Sequence, residues 1–159
     1  MYAIMKARNI KEEVLSVNII RKAGLEDAAA IARLNRDALG YEYPPGEIRK
    51  KLAQALACEK EVVFVAVCGE EIVGYIHACD YDVLYAPHMK DVLGIAVSGT
   101  YRKKGLGAAL LGAVEQWARA TGAAGVRLVS GGSRADAHAF YRRCGYANGK
   151  EQLNFKKML

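Results

Sequence analysis

The sequence predicts an α+β domain built on a single mixed, mostly antiparallel sheet with helices on both faces. Three observations predict it. The β-branched run at 62–67 and the apolar run at 72–79 are joined by Gly69-Glu70-Glu71, which reads as a hairpin. A long helical pattern at 105–121 lies between apolar strands at 92–97 and 126–130. Such a strand–helix–strand passage demands at least one parallel, right-handed crossover. Finally, strands and helices do not alternate regularly, so the sheet is not doubly wound.

The elements follow in order. Residues 1–16 read as an N-terminal extension with some helical character, ahead of a domain at 17–159. A short strand is expected at 17–21. A helix follows at 26–39, with Ile31, Leu34 and Ala38 on one face. Tyr43-Pro44-Pro45-Gly46 breaks the chain before a second helix at 47–57. After the hairpin, 83–87 is irregular. The helix at 105–121 carries Leu106, Leu110, Ala113, Val114 and Trp117 as one stripe. A further helix spans 133–144, and 152–158 closes the chain as a strand.

A length of 159 residues suits one domain with a real core. No apolar run approaches the ~20 residues of a membrane helix, and the N-terminus has no secretory pattern. Cys58, Cys68, Cys79 and Cys144 form no CxxC pair and no cluster with metal-ligand spacing. They read as reduced core thiols of a cytoplasmic protein, with no metal. The net charge of +6 points to an anionic ligand. No zinc finger, basic zipper or RNA-binding signature accompanies it, so neither nucleic acid nor membrane is the expected partner.

The basic residues cluster once, at Arg102-Lys103-Lys104-Gly105-Leu106-Gly107, after an apolar strand and at the opening of a helix. The glycines permit a tight turn and close approach of a ligand. The first N–H groups of the helix point at whatever sits there. Lys or Arg at this end opposes the helix dipole by ~0.3–1 kcal/mol each. No acidic residue relieves the three cations before Glu115. A bound polyanion would reverse the sign; the plainer alternative is a solvated basic turn. The nucleotide loop GxxxxGK[ST] is absent, and a dinucleotide fingerprint would need glycine where Leu110 stands.

The strand 92–97 followed by this turn and a long helix resembles the coenzyme A pyrophosphate motif of the GNAT superfamily of N-acetyltransferases. Ala137-His138-Ala139-Phe140-Tyr141-Arg142-Arg143-Cys144-Gly145-Tyr146 is similar to that superfamily's second signature, at the right spacing. The resemblance covers about 17–159 and implies the acyl-CoA N-acyltransferase fold. It implies acetyl-CoA as cofactor and direct acetyl transfer to a primary amine of a small molecule or peptide. It puts the cofactor on Ile95, Ala96, Val97, Arg102, Lys103, Lys104, Gly105, Leu106, Gly107, Arg134 and Tyr141. The Ile95 N–H would stabilise the thioester oxyanion, and Val97 would border the pantetheine arm. Gly94 would mark the bulge that splays this strand from 126–130. Tyr141 would be the general acid for the departing thiolate.

On the helix, Ser133 to Asp136 fits a capping-box pattern. Ala137, Phe140 and Cys144 form the core face, with Arg134, His138 and Tyr141 on the neighbouring face; His138 reads as structural. An alkylamine with a pKa near ~10.4 must lose a proton before attack. In relatives a glutamate serves, eleven residues ahead of the motif, and counting back from Arg102 reaches Asp91. Asp91 is therefore the candidate base, acting through a water, with His88, Asp80 and Asp82 as rivals. On an unbroken strand it would share a face with Leu93, Ile95 and Val97. The acceptor would meet 37–46 and 78–90, where Tyr41, Glu42, Tyr43, Asp80, Tyr81, Asp82 and Tyr85 interleave aromatics with acids and suit a cation. A non-catalytic coenzyme A-binding regulatory module is the alternative, and monomer and homodimer are both open.

Overall fold

The protein, seen here as a computed structural model, is described over residues 18–147 and 149–159. The extension at 1–16 lies outside those residues. Five strands make one sheet in sequence order: β1 (Asn18–Lys22), β2 (Glu61–Cys68), β3 (Glu71–Tyr81), β4 (Met89–Val97) and β5 (Val126–Leu128). The first three pairings are antiparallel and β4–β5 is parallel. The four helices are α1 (Ala28–Leu34), α2 (Pro45–Ala57), α3 (Leu106–Ala120) and α4 (Ala135–Arg143). α3 is the crossover between the parallel strands. None of these helices is long and apolar enough to cross a membrane.

Side-chain alternation divides the core into two layers. Val63, Val65, Tyr75 and Ala96 face Ile31 and Leu34 of α1 and Ile48 and Leu52 of α2. Val62, Ala66, Ile76, Ala78 and Val92 face Leu106, Leu110, Leu111 and Val114 of α3. Phe140 and Tyr141 of α4 pack partly buried on this second layer. Each fully buried Val or Leu stabilises the fold by about 1.5–3 kcal/mol. Leu111 and Ala118 widen the α3 stripe, while Trp117 is only partly buried. The four thiols are free and half-buried, so they border the core without filling it.

Four expectations need correction. The helix at 26–39 is a composite: a 3-10 turn (Leu25–Asp27), α1, and a π turn (Asn35–Leu39) ended by left-handed Gly40. The π turn brings Asn35 Oδ1 to 2.5 Å from the Tyr75 hydroxyl, which donates to it. The capping box at 133–136 is not made, because α4 begins after Arg134 with no side-chain cap. β5 stops at Leu128 rather than 130, ahead of Gly131 and Gly132. Residues 152–158 form no strand. A strand pattern produces a strand only where an edge receives it, and these residues meet none within the described chain.

β4 carries the feature that positions the site. His77 lies opposite Gly94 and Ala78 opposite Val92, so Leu93 is an extra residue, a β-bulge. Pairing with β5 covers only Lys90, Asp91 and Val92. Beyond the bulge, β4 keeps β3 on one side and has no strand partner on the other among the described residues.

Candidate active site

The glycine turn has the geometry of an anion cradle. A 3-10 turn (Gly99–Tyr101) leads into exposed Arg102, Lys103 and Lys104. Gly105 takes φ 83° as the N-cap, and Lys103 sits at φ 61°. A left-handed lysine costs about 1–2 kcal/mol, and such strain concentrates at functional sites. The first turn of α3 has no side-chain cap and no acidic residue. Its N–H groups therefore stay available to a ligand. Arg102 Nε reaches the Val97 carbonyl at 3.4 Å, and Lys104 lies 5.1 Å from the Tyr101 ring centroid. Gly107 also meets a packing constraint: a Cβ there would lie 2.9 Å from Phe140 Cζ. It is small so that α4 can pack on the first turn of α3.

The bulge at Leu93 resets the alternation along β4. Val92, Ile95 and Val97 face the α3–α4 layer, whereas Asp91, Gly94 and Ala96 face the α1–α2 side. Asp91 is thus not on the face of Ile95 and Val97, as an unbroken strand would have placed it. It lies across the sheet from them, at the foot of the slot that opens where β5 leaves β4.

Asp91 Oδ2 is 3.0 Å from Arg127 Nη1, and both side chains are largely buried. Its Oδ1 is buried with no hydrogen-bond partner among the described residues. Burial raises the Asp91 carboxyl above its ordinary range, and the Arg127 charge works against that rise. Arg127 also stacks on Tyr81, 4.1 Å from the ring centroid. The rival Asp80 is occupied. Its burial pushes the carboxyl up, but hydrogen bonds and charge from Lys90 and His88 outweigh this and hold it below the usual value. Lys90 is itself buried, with its ammonium 3.8 Å from the Trp117 ring centroid.

Tyr141 borders the same apolar cluster as Ile95 and Val97. Its ring sits 5.2 Å from Phe140 and 6.3 Å from Tyr146. Burial raises its phenol, with the Arg134 charge opposing. Tyr146 donates to Glu115 at 3.1 Å and ties the end of α4 to α3. His138 Nε2 lies 3.0 Å from the Gly131 carbonyl, in the loop before α4. Two residues were missed from sequence. Arg127 carried a signal, a lone charge inside the apolar strand Val126-Arg127-Leu128. Tyr75 carried none, since its neighbour Asn35 is 40 residues away.

Of the acceptor stretches, Tyr41, Glu42 and Tyr43 line a cavity of about 540 Å³ with Arg33 and Arg36. Asp37 is paired to Arg36 and Asp80 to Lys90, so neither offers a free carboxylate. Tyr85 is exposed.

The structure thus brings together an uncapped basic helix start, an open β4 edge and a tyrosine in the same apolar cluster. Residues 28–146 match the model of the acetyltransferase (GNAT) family. An aminoglycoside N(6')-acetyltransferase type 1 from Stenotrophomonas maltophilia is 31% identical over 154 residues, spanning 92% of this chain and 97% of that one. The fold superposes on an aminoglycoside N-acetyltransferase solved with coenzyme A, AAC(6')-Iy, at a TM-score of 0.82 and 16% identity, covering 91% and 97% of the two chains. It also superposes on a structure described as a transcriptional regulator from Bacillus halodurans, at 0.79 and 21%, covering 88% and 99%. At those identities the two structures speak for the fold alone. Two ordered motifs, the geometry they adopt and the family match agree: the chain belongs to the GNAT family of acetyltransferases and is an acetyl-CoA-dependent N-acetyltransferase.

Proposed function

We propose that the acceptor is a primary amine of a polycationic small molecule of the aminoglycoside type, acetylated by direct attack in a ternary complex. The observation that carries the acceptor class is the relative that matches 92% of the chain and is an aminoglycoside acetyltransferase. Acetyl-CoA supplies the activated acetyl group. The chain's own residues do the rest. Arg102, Lys103, Lys104 and the N–H groups that open α3 bind the pyrophosphate. The open β4 edge at Ile95–Ala96–Val97 receives the extended arm in place of a strand, and the Ile95 N–H orients the carbonyl. Arg134, at the start of α4, adds positive charge beside Tyr141.

Asp91 and Tyr141 divide the proton work across the sheet. Asp91 opens toward the α1–α2 side, where its unpartnered Oδ1 accepts the amine proton through a water. Tyr141 stands on the α3–α4 side and protonates the leaving thiolate. A phenol whose pKa is raised stays protonated through neutral pH, as an acid must.

Thiol release from acetyl-CoA, followed with aminoglycosides, linear polyamines and lysine peptides, tests the acceptor class. Aminoglycosides should exceed the other amines by at least about tenfold in kcat/KM, with the acetylated position read by mass spectrometry. A lysine peptide as the best acceptor would overturn the small-molecule reading. The Tyr141→Phe variant should lose about 10²-fold in kcat while binding acetyl-CoA normally; unchanged kcat would remove Tyr141 as the acid.

A further inference from the structure

A phenol whose only hydrogen is already committed stands beside the bulge, on the α1–α2 side of the sheet. Tyr75 is a β3 residue of that core layer, opposite Ala96, and is 8% exposed. Its hydroxyl donates to Asn35 Oδ1 at 2.5 Å. Asn35 opens the π turn that follows α1, and such turns recur at functional sites. Burial pushes the phenol up to about 12, so it stays protonated through neutral and mildly alkaline pH. A hydroxyl has one hydrogen and two lone pairs. With the hydrogen spent on Asn35, the oxygen can only accept. Open space adjoins it. A Cβ on Gly94 would lie 3.6 Å from Tyr75 Oη and within 4 Å of no other described atom outside Gly94's chain neighbours. Gly94 immediately precedes Ile95, and Asp91 lies on the same face of β4.

Given direct attack by an amine, as proposed above, we infer that Tyr75 Oη binds the hydrogen that the acceptor nitrogen keeps, and so selects primary amines over secondary ones. A primary ammonium carries three hydrogens. One leaves to the Asp91 water before attack. The second leaves to solvent as the C–N bond forms and the C–S bond breaks, while the departing sulfur takes the proton of Tyr141. The third stays on the amide. That third hydrogen needs a partner that accepts a hydrogen bond without removing the proton, and a protonated phenol does this. Bound there, the nitrogen is held with its lone pair toward the carbonyl at Ile95. A secondary amine has no such hydrogen. Its extra carbon would press on Oη and leave the oxygen unpaired. Asn35 is a positioning residue: by holding the hydroxyl hydrogen, it keeps the oxygen free to accept.

The test takes the primary amine that proves the best acceptor, together with its N-methyl derivative. An acceptor outside the aminoglycosides would then overturn the acceptor class alone. In Tyr75→Phe, which keeps the ring, kcat/KM for the primary amine should fall about tenfold. For the N-methyl amine it should change by less than about twofold. Acetyl-CoA binding, read by thermal shift, should match the parent. A primary-amine rate equal to the parent's would overturn the inference. So would an equal loss for both amines, the result of a Tyr75–Asn35 pair that only pins the π turn. Gly94→Ala gives an independent reading. Its methyl meets Tyr75 Oη at an ordinary contact distance but fills the hollow, so both amines should lose about tenfold or more while acetyl-CoA still binds. Parent-like activity in Gly94→Ala would place the nitrogen elsewhere and overturn the inference as well.

Discussion

Asp91 is held between opposing influences, and its environment makes the base hypothesis measurable. Burial raises the carboxyl and Arg127 restrains it. The group accepts a proton from substrate only when ionised, so kcat/KM should rise with pH through its raised pKa. Replacing Arg127 with Gln removes the restraint, and the acid limb should move to higher pH. In Asp91→Asn that limb should vanish, with a loss of about 10²-fold; an acid limb unmoved in both variants removes Asp91 from the chemistry. Asp27 is the opposite case. Two hydrogen bonds from Arg21, at 2.7 and 2.9 Å, lower its carboxyl; burial opposes them, and the Gly24 N–H at 2.8 Å adds to the lowering. A carboxyl with a lowered folded pKa contributes stability fully above its unfolded value and loses it as pH falls through the folded one. Asp27→Ala should cost about 2 kcal/mol at neutral pH in urea unfolding and progressively less in acid.

At the scale of elements, α3 is built against its own dipole at one end and against α4 at the other side of the same turn. Neutralising the turn as Lys103→Gln/Lys104→Gln should weaken acetyl-CoA binding about tenfold or more. The same change should raise the stability of the free protein at low salt, by about 0.3 kcal/mol per removed cation. A turn that was only a solvated loop would show the second effect without the first. Gly107 reports on packing. A methyl there meets Phe140, an overpacking cost of about 1–3 kcal/mol against a helix-propensity gain of ~1 kcal/mol. Gly107→Ala should therefore destabilise the parent but stabilise a Phe140→Ala background, a sign reversal that chemical denaturation can read.

For the whole molecule, the parallel β4–β5 pair with α3 between them makes the sheet open at one level. The core lies on both faces, and the slot runs between strands that diverge only after the bulge. A ligand bridging the α3 start and the open β4 edge binds the folded chain and not the unfolded one. Acetyl-CoA at about 100 times its Kd should thus add about 2.7 kcal/mol, which is about 5–10 °C in Tm for a domain of this size. A thermal shift of that order in the parent, lost in Lys103→Gln/Lys104→Gln, ties the stabilisation to the glycine turn.

The sequence by itself determined the class of sheet, the crossover, the basic turn that opens a helix and the two motifs around it. All of these are local: periodicity, a turn and a charge pattern within a dozen residues each. It also placed Tyr141 on a helix. Only the tertiary structure decided which side of the sheet Asp91 occupies, because one extra residue at Leu93 inverts every side chain before it. Only the tertiary structure brought Arg127 to Asp91, Asn35 to Tyr75 and Phe140 to Gly107. These are contacts between elements far apart in the chain, and no spacing along the sequence encodes them.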